Sequence, residues 1–371
     1  MRIGIPKEIK DQEYRVAAPP AAIAALAEAG HRVMVESGAG QAIGYDDTAY
    51  RTAGAAIADD AATLYRESEL IYKVKEPLAA ELPLLRQDHI LFCYLHLAAA
   101  PELTQALLKC GLTAIAYETV SGENGGTPLL APMSQIAGRL AIQMGMQALE
   151  MKNGGRGVLL SGVPGVAPGR VVILGGGNVG GNAARIAVGI GAEVTLLDHS
   201  SETLKRYDEL YQGRLKTLFA TPANIEASVN QADLVIGAAY VVGRHAPRLL
   251  NRALLRRMAK GSALVDVSID QGGTAETSRP TSHTEPFYIE EGVVHYCVPN
   301  MPGAVARTAT LALSEATLPY LLSLAGHGPR AAFEREAGFA NGLNLAHGQI
   351  AHAGLADDLG LAHADWRQLI R

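Results

Sequence analysis

Short apolar segments alternate with segments of helical composition along about the first 120 residues of the chain, which has 371 residues. Apolar runs of about four to eight residues are typical of buried strands, and the segments between them space their apolar residues as helices do. The predicted strands are Arg2–Pro6, His31–Glu36, Leu70–Val74, Ile90–Leu95 and Leu112–Tyr117, and the predicted helices are Pro19–Ala29, Asp47–Ala53, Asp60–Glu67 and Pro101–Cys110. This alternation predicts a parallel sheet covered by helices on both faces.

The glycine-rich loop 121–126 interrupts this pattern, and the apolar helix predicted over Ala131–Lys152 is long enough to link two domains. A second set of predicted strands follows the turn-rich stretch 153–169: Arg170–Leu174, Glu193–Leu197, Asp233–Ala238, Ala263–Val267 and Val293–Cys297. A largely apolar helix over Thr308–Leu324 needs a partner face, so we expect the C-terminal tail to fold back on the first domain. The fold class predicted is therefore α/β, with two doubly wound parallel-sheet domains.

A glycine run opens the second set of elements. Gly175, Gly177 and Gly180 form the pattern G-x-G-x-x-G, with Asn178 and Val179 between the last two, after an apolar strand and before a helical stretch over Asn182–Ile190. The first glycine permits a tight turn, the second lets the backbone approach a pyrophosphate, and the third lets helix and strand pack closely. Asp198 ends the next strand, where its carboxylate can accept hydrogen bonds from the adenosine ribose hydroxyls. This order predicts a Rossmann dinucleotide-binding domain; the alternative is a glycine-rich turn with a solvated strand-end charge.

Composition and charge exclude several classes of partner. The net charge is −5 with no polybasic run, so neither nucleic acid nor an anionic membrane is expected to bind. The three cysteines, Cys93, Cys110 and Cys297, are widely spaced, and none lies in a cluster with the spacing of a structural zinc site, so no metal is predicted. The N-terminus lacks the apolar core of a signal peptide, and no apolar run is long enough to span a membrane, so we expect a cytoplasmic protein.

Three polar side chains of the first domain follow predicted strands. Arg15 lies in the loop after the first strand, Lys75 directly follows Leu70–Val74, and His96 directly follows Ile90–Leu95. Ligands of open parallel sheets bind beyond the carboxyl ends of the strands. Arginine and lysine could hold a carboxylate there, and histidine is suited to move a proton near neutral pH. The alternatives are a solvated loop charge, a surface strand cap and a buried structural histidine.

The second domain has comparable strand ends. Asp270 lies in the acidic glycine turn after Ala263–Val267, and could orient a histidine, accept from an amine or simply bond its own backbone. Asp266, inside the strand, is predicted to satisfy nearby donors instead. The segment 298–303 ends the next strand at the same edge.

These residues belong to longer motifs. The chain resembles the alanine dehydrogenase family, which also includes the N-terminal component of transhydrogenase, over essentially its whole length and in register. The motifs that carry the resemblance are Gly4-Ile5-Pro6-Lys7-Glu8, Arg15-Val16-Ala17, Gly44-Tyr45-Asp46, Val74-Lys75-Glu76-Pro77, Pro132 to Gly138, Asp233 to Gly237, Asp270 to Gly273, Pro280 to His283, Asn300 to Val305 and Ala316 to Tyr320.

The resemblance implies oxidative deamination of L-alanine to pyruvate and ammonium with NAD, and the reverse amination. It implies that Arg15 and Lys75 hold the substrate carboxylate with Asn300 close by, and that His96 and Asp270 are the acid/base residues. It implies cofactor contacts from Ser134, Gly175, Gly177, Asn178, Val179, Gly180, Asp198, Ala239, Tyr240, Val267, Ser268, Ile269, Arg279, Val298 and Met301. It further implies a substrate domain of residues 1–128 plus 307–371, an NAD-binding domain of residues 129–306, a cleft between them, and a homohexamer.

Two alternatives stay open. The NAD(H)-binding component of proton-translocating transhydrogenase shares this architecture, although the joint presence of Arg15, Lys75, His96 and Asp270 favours a dehydrogenase. A dehydrogenase of another small amino acid is also compatible with the sequence. Thr203, Ala220 and Thr274 depart from residues common in the family, which puts individual adenosine contacts in doubt. Because His199 rather than Lys or Arg follows Asp198, NAD is favoured over NADP.

Overall fold

A computed structural model describes residues 1–123, 125–239 and 246–370 of the chain. The described residues divide into two compact units. The first comprises residues 1–133 and 305–371, and the second comprises residues 134–304. Each unit is built around its own sheet.

The first unit holds an eight-stranded sheet in the order β15-β14-β6-β5-β4-β1-β2-β3. Its elements are β1 Arg2–Ile5, α1 Pro20–Glu28, β2 Arg32–Glu36, α2 Asp47–Thr52, β3 Ala56–Ala58, α3 Ala61–Glu67, β4 Leu70–Tyr72, β5 Ile90–Cys93, α4 Pro101–Cys110 and β6 Thr113–Ala116. Strands β1 to β6 run parallel. Helix α5 Ala131–Ala148 crosses the boundary between the units.

The second unit holds a seven-stranded sheet in the order β12-β13-β11-β10-β7-β8-β9. Its elements are β7 Arg170–Leu174, α6 Asn178–Gly189, β8 Glu193–Asp198, α7 Ser201–Tyr211, β9 Lys216–Phe219, α8 Pro222–Val229, β10 Leu234–Gly237, α9 Arg252–Leu255, β11 Ala263–Asp266, β12 Phe287–Glu290 and β13 Val293–Tyr296. The strand order reverses between β7 and β10, which is the switch point at which doubly wound sheets bind ligands.

The C-terminal segment returns to the first sheet. Its elements are α10 Ala306–Arg335, β14 Leu343–Ala346, β15 Gln349–Ile350, α11 Ala353–Leu359 and α12 Trp366–Leu369. Strand β14 pairs antiparallel with β6, and β15 pairs antiparallel with β14. Gly328 interrupts α10 with non-helical angles (φ 77°, ψ 168°), directly before Pro329.

Local sequence signals account for many helix starts. The side chains of Asp46, Asp60, Ser200 and Thr221 each accept a hydrogen bond from a main-chain N–H in the first turn of α2, α3, α7 and α8. Such N-caps satisfy donors that have no partner within the helix. The central strands are the most buried; β4, β6, β10, β11 and β13 bury all their residues. Burial on both faces explains why these strands are continuous apolar runs.

The predicted fold class is confirmed, with additions at the sheet edges. β12 and β15 are antiparallel edge strands, and β14 is an antiparallel strand between β15 and β6, in otherwise parallel sheets. β3 and β9 are further strands that the sequence did not predict. Helix α6 begins at Asn178, four residues before the predicted start at Asn182, because the glycine run itself supplies its first turn. Within the described part of the chain, no helix combines the length and apolar character needed to cross a membrane.

Candidate active site

The first unit gathers three predicted site residues at one edge of its sheet. Because β1, β4 and β5 run parallel, the loops after them emerge at the same edge. Arg15 lies in the loop after β1, while Lys75 and His96 follow β4 and β5 by three residues each. The strand order β3-β2-β1-β4-β5-β6 reverses between β1 and β4, so this edge is a switch point as well.

Arg15 is a buried, paired cation. The residue is 2% exposed, and its guanidinium makes two hydrogen bonds to the Glu13 carboxylate, from Nε at 2.7 Å and from Nη2 at 2.5 Å. Its Nη1 lies 3.2 Å from the Met133 sulfur. Burial alone would lower the pKa of Arg15, but the hydrogen bonds and charge of Glu13 outweigh it, and the net pKa is raised. The guanidinium is therefore charged, and its two hydrogen bonds to Glu13 fix its plane.

Lys75 is a buried cation whose nearest acid is farther away than the acid that pairs with Arg15. Its side chain is 11% exposed, and its Nζ lies 3.9 Å from Glu76 Oε2, beyond hydrogen-bond length. Burial lowers the pKa of Lys75; Glu76 opposes this shift, and the positive charge of Arg15 adds to it. Because the charge of Arg15 lowers the pKa of Lys75, the two side chains belong to one positively charged region. An anionic group bound there would relieve their repulsion.

A carboxylate also holds the backbone at Lys75. Glu8, in the loop after β1, accepts hydrogen bonds from the main-chain N–H of Val74 at 2.6 Å and of Lys75 at 3.3 Å. The other Glu8 oxygen lies 3.4 Å from Nζ of the buried Lys73. Burial raises the pKa of Glu8, and Lys73 opposes that shift. Lys73, whose Nζ also donates to Glu81 at 2.6 Å, thus stabilises the charge of the acid that ties the loop after β1 to the segment bearing Lys75.

His96 presents its side chain at the same edge. The side chain is 47% exposed, and its ring lies parallel to that of Tyr94, with an interplanar angle of 2° and centroids 5.9 Å apart. The buried Tyr94 hydroxyl donates to the Leu129 carbonyl at 2.7 Å, which fixes the ring. Burial raises the pKa of Tyr94, and the charge of Arg15 acts in the opposite direction. Tyr94 therefore packs against the imidazole ring and interacts electrostatically with Arg15.

In the second unit, the glycine run forms the N-terminus of α6, which has no side-chain cap. Gly177 is the N-cap residue of α6 and offers no capping side chain; it and Asn178 are exposed. A Cβ at Gly177 would meet no atom within 4 Å, whereas a Cβ at Gly180 would lie 1.8 Å from the Gly175 carbonyl oxygen. Gly175 itself has φ +102°. The open space at Gly177, next to free helical N–H groups, fits a pyrophosphate.

Asp198, the last residue of β8, lies beside the glycine run. Asp198 is 8% exposed and accepts hydrogen bonds from the main-chain N–H of Gly176 at 2.7 Å and of Ser200 at 2.8 Å. Both of its oxygens keep further acceptor capacity for ribose hydroxyls. The Tyr207 hydroxyl donates to the Gly176 carbonyl at 2.8 Å and so holds the glycine loop in place. The residues present therefore fit a dinucleotide such as NAD.

The switch point of the second unit joins further predicted contacts. Gly175 approaches Ala238, and the Ser268 hydroxyl donates to the Ala239 carbonyl at 2.8 Å. Val267, Ser268, Ile269 and Asp270 lie in a 3-10 turn after β11, with Asp270 exposed. Asp266 is 1% exposed and accepts from the main-chain N–H of Thr274 at 2.6 Å. Asp266 thus holds the turn that presents Asp270.

The remaining predicted residues of the second unit lie after β13, in the stretch before β12 and in α5. Val298 and Met301 are buried after β13, and Asn300 between them has a left-handed backbone (φ 57°). The Arg279 guanidinium lies 3.9 Å from the centroid of the Tyr288 ring. Ser134 lies one turn before Gly138 in α5, and a Cβ added at Gly138 would meet the Val179 carbonyl oxygen. Tyr240 lies outside the described residues.

Sequence reasoning missed several supporting side chains of the first unit. Glu13, Tyr94, Glu118 and Met133 each contact Arg15 or His96. Two of them carried a usable signal, since Glu13 and Tyr94 each stand two positions before the predicted site residue that they contact. Glu118 follows β6 as His96 follows β5, so the expectation that functional side chains lie beyond the carboxyl ends of parallel strands applied to Glu118 as well.

Known proteins resemble both units of this chain. The family described as alanine dehydrogenase/PNT, N-terminal domain, matches residues 4–137, and the C-terminal domain of the same family matches residues 141–353. This chain belongs to the alanine dehydrogenase/PNT family.

Individual members of the alanine dehydrogenase/PNT family match along the full chain. The alanine dehydrogenase of Halomonas elongata is 52% identical over 370 residues, which cover 100% of both chains, and alanine dehydrogenase 2 of Staphylococcus aureus is 48% identical over 96% of both. A solved L-alanine dehydrogenase superposes with a TM-score of 0.94 at 51% identity, covering 97% of this chain and 99% of the other. A transhydrogenase from Sinorhizobium meliloti, at 23% identity and a TM-score of 0.81 over 95% of this chain and 99% of its own, shares the fold.

Proposed function

We propose that this protein catalyses the oxidative deamination of L-alanine to pyruvate and ammonium with NAD, and the reverse reductive amination. The observation that carries this function is the 52% identity to a curated alanine dehydrogenase over the whole of both chains. The family uses NAD, and this chain is an NAD-dependent alanine dehydrogenase. We further propose that residues 1–128 with 307–371 bind the substrate and residues 129–306 bind NAD.

The substrate carboxylate is proposed to bind Arg15 and Lys75, with Asn300 as a further contact. Glu13 holds the Arg15 fork in one plane, and Glu8 fixes the main chain that carries Lys75. The pKa of Arg15 is raised and that of Lys75 is lowered, in part by the charge of Arg15. An anion bound beside these two buried cations would reduce the electrostatic repulsion between them. A carboxylate fixed at this point also fixes which substrate hydrogen is presented for removal.

His96 is proposed to move the protons. The amino group of alanine must lose a proton before the Cα–H bond breaks, because a neutral amine stabilises the iminium that forms. The neutral imidazole of His96 takes that proton and releases it to solvent, then accepts one from the water that attacks the iminium carbon. It gives this proton to the nitrogen, and it takes up the hydroxyl proton as the carbinolamine collapses to pyruvate and ammonia, which leaves as ammonium once it regains that proton. We propose Asp270 as a second acid/base residue, on the family resemblance.

NAD, when bound, supplies the nicotinamide carbon that accepts the hydride from Cα. Gly175, Gly177 and Gly180 would let its pyrophosphate reach the α6 N-terminus, and Asp198 would bind the adenosine ribose. The other proposed contacts are Ser134, Asn178, Val179, Ala239, Val267, Ser268, Ile269, Arg279, Val298 and Met301.

We also propose that the enzyme is a cytoplasmic homohexamer, by resemblance to its family. Sedimentation velocity of the purified protein tests the hexamer, since a species of six 39.0 kDa chains separates clearly from a dimer or a monomer.

The first prediction concerns substrate choice. Purified protein with NAD is expected to produce absorbance at 340 nm with L-alanine at alkaline pH, where more of the substrate amino group is present as the neutral amine. In a panel with L-serine, glycine, L-valine and L-lysine, L-alanine should have the highest kcat/KM. Pyruvate with ammonium and NADH should give the reverse reaction. Activity on another amino acid with none on L-alanine would contradict the substrate assignment.

The second prediction concerns pH. Burial and the charge of Arg15 lower the pKa of Lys75, so its charge is lost at a lower pH than that of an ordinary lysine. Since the charged form binds the carboxylate, kcat/KM for L-alanine should fall as pH rises through that pKa. Lys75→Arg should move this fall to higher pH, because a guanidinium stays charged. Steady-state kinetics between about pH 8 and 11 measure this, with Lys152→Arg, at an exposed position, as the control. Coincident alkaline limbs in wild type and Lys75→Arg would remove Lys75 from carboxylate binding.

A further inference from the structure

The backbone at His96 has a conformation that needs support. Its angles, φ 49° and ψ 40°, lie in the left-handed region, where a Cβ-bearing residue is uncommon. Residues held in such regions persist when the surroundings fix them, and they concentrate at functional sites. The neighbours Leu95 and Leu97 are 0% and 2% exposed, so the chain is anchored on both sides of the turn. The direction of the imidazole is then set by the main chain between these anchors.

One side chain holds that main chain. The Glu118 carboxylate accepts a hydrogen bond from the His96 N–H at 2.6 Å and lies 3.2 and 3.3 Å from the Leu95 nitrogen through its two oxygens. Glu118 follows β6, which pairs in parallel with β5, the strand that leads to His96. The carboxylate is 14% exposed, so these charge-assisted bonds compete little with water.

Glu118 also faces the imidazole, at a distance that gives no hydrogen bond. His96 Nδ1 lies 3.9 Å from Glu118 Oε1. On its other sides, burial raises the pKa of Tyr94 and of Cys93, and the charge of Glu118 adds to both shifts. Burial lowers the pKa of His352, and Glu118 opposes that shift. The direct contacts of Glu118 with the site are therefore to the main chain of residues 95 and 96.

We infer that Glu118 is a positioning residue that sets the direction of His96 by accepting the main-chain N–H groups of Leu95 and His96. This inference rests on the proposed role of His96 in proton transfer. Glu8 and Glu13 act in the same way on the segments of Lys75 and Arg15, but only the Glu118 contacts stabilise a left-handed residue. Without the carboxylate, the turn can relax and the imidazole leaves the direction needed for proton transfer.

The test compares two replacements of Glu118. Glu118→Ala removes both acceptors and should lower kcat for L-alanine about 10- to 100-fold, with KM for L-alanine and the Kd of NADH within about twofold of wild type. Glu118→Gln keeps an acceptor oxygen at the Oε1 position and should retain kcat within about threefold. Glu69→Ala is the matched control, because Glu69 accepts the Arg2 main-chain N–H at the opposite edge of the sheet. A general loss of structure would lower binding and kcat together.

A double-mutant cycle with His96→Gly completes the test. Glycine adopts the left-handed conformation without strain and has no imidazole to direct, so adding Glu118→Ala should lower the residual rate less than about twofold. A loss of the same size in both backgrounds, or a wild-type kcat in Glu118→Ala, would overturn the inference. If His96→Gly alone keeps the wild-type rate, it is the proposed role of His96 that fails.

Discussion

Replacing His96 by alanine is expected to lower kcat for L-alanine oxidation about 100- to 10,000-fold, the range that general acid–base catalysis contributes. The reason is that proton removal from the amine, attack by water and release of ammonia all pass through this imidazole. NADH binding, followed by fluorescence, should be retained, since His96 belongs to the first unit and the glycine loop to the second.

His347 provides a control with the same backbone conformation. It is exposed, has φ 50°, and lies in the turn between β14 and β15. His347→Ala therefore introduces the same replacement at another left-handed position, and kcat should stay within about twofold of wild type. Near-normal turnover in His96→Ala would show that another group transfers the protons.

The second large effect is expected at the glycine run, where two glycines serve different purposes. Gly180→Ala places a Cβ 1.8 Å from the Gly175 carbonyl oxygen, so the loop and α6 must separate. We expect a loss of about 1–3 kcal/mol or more in the free energy of unfolding, and with it the loss of NADH binding. Gly177→Ala meets no atom within 4 Å, so the melting temperature should hold while the Kd of NADH rises at least about tenfold, or about 1.4 kcal/mol.

Gly189→Ala is the matched control for both variants. It is the last residue of α6, and a Cβ there also meets nothing within 4 Å. Thermal unfolding by circular dichroism and NADH titration should find it as stable as wild type or slightly more so, with unchanged affinity. If Gly177→Ala bound NADH as tightly as Gly189→Ala, the pyrophosphate would not lie at the α6 N-terminus.

The elements of the molecule were largely readable from local sequence. Buried parallel strands are continuous apolar runs, and β7 was predicted at the limits that the structure has. Edge strands such as β3 and β9 were missed, because short, partly exposed strands depend on a neighbour for their hydrogen bonds and carry little hydrophobic pattern. The early start of α6 was missed because glycine has a low helix propensity. Glycine stands in the first turn of α6 because a Cβ at Gly180 would collide with the Gly175 carbonyl oxygen.

The sequence by itself determined which residue types stand at the strand ends: Arg15, Lys75 and His96 in the first unit, and the glycine run with Asp198 in the second. Which residues follow each strand is a local property, and open parallel sheets bind ligands beyond the carboxyl ends of their strands. Only the tertiary structure decided how those residues are held. Glu13 on the Arg15 fork, Tyr94 against the imidazole, and Glu118 on the main chain of His96 act through distances and burial. Glu118 and His96 are 22 positions apart, and only the pairing of β5 with β6 makes them neighbours.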